Sequence, residues 1–118
     1  MLVIRDEQMK ALQQYAFNQF VDRMMRHLQT TCYRWTESIS NAALRIEVEA
    51  GIEQAAKYDI ESEFDVQQFL ECRTKLGTDF DTNPGTAWAG EILRNDELTA
   101  SEKMDIFSDR LAFNLEES

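Results

Sequence analysis

The stretch Asp6-Glu-Gln-Met-Lys-Ala-Leu-Gln-Gln-Tyr-Ala-Phe-Asn-Gln-Phe-Val-Asp-Arg-Met-Met-Arg-His-Leu-Gln-Thr-Thr-Cys32 decides the fold class. Its apolar positions Met9, Leu12, Ala16, Phe20, Met24 and Leu28 recur every three or four residues, and Phe17 and Val21 widen the stripe on the same side. That spacing matches the turn of an α-helix and predicts an amphipathic helix with one face against a core. Asp6 and Glu7 at its start and Arg23, Arg26 and His27 near its end suit the helix dipole.

Downstream the same period returns. Thr36 or Ser38 can cap a second helix running to about Tyr58, with Leu44, Val48, Ile52 and Ala55 as its stripe and Ile39 and Ala43 feeding into it. Gly51 interrupts that helix at a cost of about 1 kcal/mol relative to alanine, which fits a close helix crossing. Asp59 before Ile60 reads as a helix end with a left-handed residue. Ser62 opens a third helix, with Asp65 as a capping-box partner and Val66, Phe69, Leu70 and Leu76 buried, and Gly77 stops it. Residues 78–86 form a loop. A short fourth helix follows from about Ala87 to Leu93, with Trp88 and Ile92 inward. Thr99 and Glu102 make a capping box for a last helix from about Ala100 to Leu115, with Met104, Phe107, Leu111 and Leu115 inward. The pattern predicts an all-α fold, a single domain over residues 1–118 with about five helices, the long first one packed on a helical bundle.

Composition supports one globular unit. The chain has 118 residues, long enough to close a single core. Four Gly and one Pro suit long helices and not a many-turned β-sandwich. Residues 1–35 carry five basic and three acidic groups, net +2, whereas residues 36–118 carry seven basic and nineteen acidic groups, net −12. Such acidity opposes binding to nucleic acid and to anionic membranes, and it steers in a basic protein partner. It also keeps a protein soluble. Cys32 and Cys72 lie inside helical patterns and read as buried free thiols in a reducing compartment. The apolar run Met1-Leu2-Val3-Ile4 is too short for a signal peptide, so a cytoplasmic location is expected.

Motifs for catalysis are missing. His27 is the only histidine and stands between arginines rather than in a nucleophile motif. No HExxH, CxxC, GxSxG or glycine-rich phosphate loop occurs. Glu47, Glu49 and Glu53 read as a solvated helix face. No enzyme activity, cofactor or metal is expected. Asp79, Asp81 and Asn83 match the first, third and fifth positions of an EF-hand calcium loop, but Pro84 stands where its turn needs Gly and Gly90 where it needs Glu. The plainer reading is an Asx-rich turn that caps a helix around Pro84. Among the aromatics, Tyr33 and Trp35 fall between helices and are candidates for an exposed anchor patch, whereas Trp88 suits a core.

Three stretches together resemble a family of small proteins encoded beside effectors of the bacterial type VI secretion system. They are Ile4-Arg-Asp-Glu-Gln-Met9 with Phe20–Met24 and His27-Leu28; Gly51–Ile60 with Phe64-Asp-Val66 and Phe69; and Leu76-Gly77 with Asp79–Pro84 and Trp88–Leu93. The stretches span nearly the whole chain, and specificity rests on their combination. Asp59 departs from the family, which carries Gly there. The resemblance implies an accessory, co-chaperone-like protein that helps an adaptor load an effector onto the secretion spike, and it brings no catalytic residues. The partner is then an effector adaptor or effector, with Tyr33, Trp35, Asp79, Phe80, Asp81 and Trp88 as the candidate contacts. The segment from Asp79 to Trp88 serves either as a binding loop or as the turn that sets the fourth helix. Two other readings stay open: an immunity protein that neutralises a toxin, and a calcium-binding module. Homodimerisation through the long first helix fits the same pattern.

Overall fold

The computed structural model describes residues 6–117, with side chains from Lys10 to Ala112. Among the described residues six α-helices follow one another: α1 Asp6–Thr31, α2 Tyr33–Thr36, α3 Asn41–Ala56, α4 Glu63–Leu76, α5 Ala87–Leu93 and α6 Ala100–Glu117, with a 3-10 turn at Pro84–Thr86. No strand occurs among the described residues. The expected Met9 and Leu115 contacts lie outside the described side chains, as do the Asp6 and Glu7 carboxylates.

The extra helix, α2, is a single turn where a linker was expected. The Thr36 hydroxyl donates backward to the Cys32 carbonyl at 3.1 Å, so it continues this turn and does not cap the next helix. The cap of α3 is Ser40, not Thr36 or Ser38: its hydroxyl accepts from the Ala43 N–H at 3.1 Å. At the other end of α3, Asp59 takes φ 61°, the left-handed residue expected there. The Ile60 N–H returns to Ala55 and the Asp59 N–H to Ala56, both at 3.1 Å, closing a Schellman motif over a buried Ile60.

Ser62 caps α4 by accepting from the Asp65 N–H at 3.2 Å, but the reciprocal half of the expected capping box is absent. The Asp65 carboxylate is instead buried and accepts from the Ser101 hydroxyl at 3.1 Å, tying α4 to α6. Gly77 ends α4 at φ 116°. The Thr99–Glu102 box forms fully, with the Thr99 N–H donating to Glu102 at 2.9 Å and the Glu102 N–H donating to the Thr99 hydroxyl at 3.1 Å. Hydrogen bonding to the Thr99 N–H first, and then to the Thr99 side chain, holds the Glu102 carboxyl below its ordinary pKa.

Helices α1, α3 and α4 pack on one another, and α6 closes over α4. A Cβ on Gly51 would stand 2.4 Å from Leu70 Cδ2, so this glycine lets α3 and α4 cross closely. The core runs through Val21, Met24 and Leu28 of α1, Leu44, Val48 and Ala55 of α3, Val66, Phe69 and Leu70 of α4, and Met104 and Phe107 of α6. Arg23 and His27 do not serve the end of α1, which runs on to Thr31. They pair sideways with Glu63 and Glu71 of α4, while Asp22 pairs with Arg45 of α3.

Only the second half of α1 joins this body. Every residue from Lys10 to Phe17 is exposed, including the expected core positions Leu12, Ala16 and Phe17. Leu12 is 58% exposed and Tyr15 63%. The molecule is correspondingly long: its radius of gyration is 16.0 Å, where a compact chain of this length reaches about 13.5 Å. No described helix is long and apolar enough to cross a membrane.

Candidate functional site

A concave surface with an apolar lining lies between α2, the start of α3 and the end of α4. It is a groove of about 400 Å³ lined by Trp35, Ile39, Ala43 and Leu44 on one side and by Arg73, Thr74, Gly77 and Thr78 on the other. The extra turn α2 places Trp35 at its edge, 38% exposed, with the Lys75 ammonium 5.7 Å from the ring centroid. Tyr33 is on the same turn and 61% exposed.

Arg73 and Glu47 set the polar part of the groove. The Arg73 guanidinium donates to Gln54 Oε1 at 2.7 Å, to the Glu47 carbonyl at 3.1 Å and to Glu47 Oε2 at 2.9 Å. With its side chain only 11% exposed, it is a satisfied buried cation that fixes α3 against α4. Glu47 thus pairs at the edge of a solvated face: its side chain is 45% exposed and that of Glu49, 3.5 Å from Arg45, is 44% exposed, while Glu53 is exposed. Gln54 also reaches the Thr78 carbonyl at 3.1 Å, holding the start of the loop at the rim of the groove.

The loop that follows is a turn built around a core residue. The Thr82 and Asn83 N–H groups donate to the Asp79 carbonyl at 3.0 and 2.9 Å, which curls the chain and turns Phe80 inward. Phe80 is fully buried, with ring centroids 5.3 Å from Phe69 and 6.0 Å from Phe107. This corrects its expected place among the partner contacts: its side chain reaches no surface. Asp81 accepts from the Tyr58 hydroxyl at 2.6 Å. Burial, then the bond to and charge of Asp81, push the Tyr58 phenol up to about 12. Asp79 is exposed and accepts from the Asn83 amide at 3.3 Å. Asn83 Oδ1 accepts from the Gly85 N–H at 2.7 Å, with Pro84 next, which is the Asx cap expected there. Among the described residues no three acidic, histidine or cysteine side chains gather as a metal site would need. Trp88 is half-buried on Phe107 at 5.6 Å, with the Arg110 guanidinium 5.0 Å from its centroid.

Of the six candidates, Trp35 lines the groove, Tyr33 and Asp79 are exposed outside its lining, and Phe80, Asp81 and Trp88 serve the packing of the loop. No protein-family model, curated protein or solved structure matches the chain. Two residues escaped the sequence reading. Arg73 stands three residues after Leu70 and three before Leu76, a charge on an apolar stripe, and that signal was readable. Lys103 is buried with its Nζ donating to the Leu93 carbonyl at 2.7 Å, closing the end of α5; only the fold shows it.

Both cysteines are free and buried. Burial first, then the Glu71 charge, pushes the Cys72 thiol up to about 12. Burial also raises Cys32. Thiols held protonated in this way are poor nucleophiles.

Proposed function

We propose that this chain is a non-catalytic accessory protein that binds an effector adaptor or effector of the type VI secretion system and assists loading. One observation carries the binding half: Trp35, a residue type favoured as an interface anchor, stands half-exposed at the edge of an apolar groove. An apolar side chain of the partner enters beside the indole, while the net −12 of residues 36–118 favours a partner with basic flanks. The secretion half is supported by the sequence resemblance across nearly the whole chain. Affinity capture of the tagged protein from a secreting strain is the test. Recovery of an adaptor, effector or spike component is expected, and recovery of none of these contradicts the reading. The acidic surface equally suits an immunity protein. Killing of a strain lacking this gene by its armed siblings, with effector export intact, would favour that alternative.

A further inference from the structure

The groove beside Trp35 carries one acceptor that the fold leaves open. Glu47 gives Oε2 and its backbone carbonyl to Arg73. Its Oε1 has no hydrogen-bond partner among the described residues, and the half-exposed side chain lines the groove. Glu47 follows Ala43 by one turn of α3, about 5.4 Å along the axis. The apolar wall of Trp35, Ile39 and Ala43 and the open carboxylate oxygen are thus within reach of neighbouring side chains of one bound segment.

Charge selects the occupant. The one cation in the lining, Arg73, is engaged by Gln54 and Glu47, with its side chain nearly buried. Arg45 pairs with Asp22 and Glu49, and Lys75 stands over the Trp35 ring; neither lines the groove. From Tyr33 to Ala56 the chain carries Arg34 and Arg45 against Glu37, Glu47, Glu49 and Glu53, so 2 − 4 gives −2. An anion finds no unpaired cation in the lining, whereas a cation finds Glu47. The volume of about 400 Å³ is near the small end of the ~300–1,000 Å³ of ligand pockets, which suits one or two side chains and not a whole helix face. No strand among the described residues offers an edge to extend, so recognition runs through side chains.

We propose that the groove recognises a short partner segment in which a large apolar residue stands beside a basic one. The apolar side chain packs between Trp35 and Ala43, and the basic side chain donates to Glu47 Oε1, which makes Glu47 the specificity-determining residue. The proposal rests on the reading of the groove as the binding site, and it needs nothing from the secretion half of that reading.

Selection of a random peptide library on the purified full chain tests it, with Trp35→Ala and Glu47→Gln checked as folded by circular dichroism. Glu47→Gln keeps an oxygen for Arg73 and removes the charge. Wild type enriches a large apolar residue with Lys or Arg beside it, Glu47→Gln enriches the apolar residue alone, and Trp35→Ala enriches neither. In calorimetric titration wild type binds the leading peptide about fivefold tighter than its basic-to-alanine version, the upper range for a solvent-exposed ion pair, and Glu47→Gln binds the two alike. A consensus that needs Trp35 but has acidic or uncharged neighbours overturns the proposal and leaves the groove as the binding site. An undiminished preference for the basic residue in Glu47→Gln overturns the role of Glu47. No enrichment, or peptides that bind Trp35→Ala as tightly as wild type, overturns both the proposal and the groove reading.

Discussion

Leu12 and Leu28 lie on one helix and in one apolar repeat, yet one is 58% exposed and the other 2%. At about 100° per residue, the sixteen-residue step between them leaves Leu12 about 160° round the helix from Leu28, nearly on the opposite face. Reach adds to this: α3 and α4 meet α1 at Asp22, Arg23, His27 and Gln29, and every residue from Lys10 to Phe17 is exposed whichever way it faces. Steps of three or four drift round a long helix, and a face they name need not be covered.

The sharpest way to break this comparison is to truncate the same residue in each half. Leu28→Ala is expected to cost about 2–5 kcal/mol of unfolding free energy, since it removes packed core atoms and leaves a cavity. Leu12→Ala is expected to stay within about 0.5 kcal/mol. Denaturant unfolding measures both, and equal losses would break the account of α1. Phe80→Ala extends the test to the loop: as a core aromatic it should cost about 3–5 kcal/mol, whereas a residue kept for partner contact would cost little.

Much of the body was legible because its signals are local. The Ser62 hydroxyl, the Thr99–Glu102 box, Asp59 at a helix end and Gly77 at another each act on backbone groups within a few residues. The burial of Phe80 was not legible, because it depends on a turn that aims the ring between α4 and α6. Nor was the groove, which needs α2 as a separate turn and Arg73 held by Glu47 across two helices. Tyr33 and Trp35 stood out by falling between periodic stripes, and both are exposed.

A smaller effect sharpens the contact between α3 and α4. Gly51→Ala places a methyl group against Leu70, and overpacking of this kind costs about 1–3 kcal/mol. The gain in helix propensity offsets about 1 kcal/mol of it. A net loss is expected in thermal or chemical unfolding, and a net gain would mean that the crossing has room to spare.

Alkaline pH gives the mildest test. Tyr58 and Cys72 are each held up to about 12 in the folded chain. Above their ordinary values of 10.0 and 9.0 the unfolded chain therefore releases protons first, and stability falls as pH rises toward 12. Tyr58→Phe and Cys72→Ala should each flatten the fall between pH 9 and 12 in unfolding curves relative to wild type, whatever their effect at neutral pH. An unchanged slope would show that neither group is held as described.

Partner capture with Trp35→Ala beside wild type and Leu12→Glu tests the central claim most directly. The account predicts that wild type and Leu12→Glu recover the same adaptor, effector or spike component, while Trp35→Ala, still folded, loses most of it. Undiminished capture by folded Trp35→Ala would contradict the claim that the groove is where this protein binds.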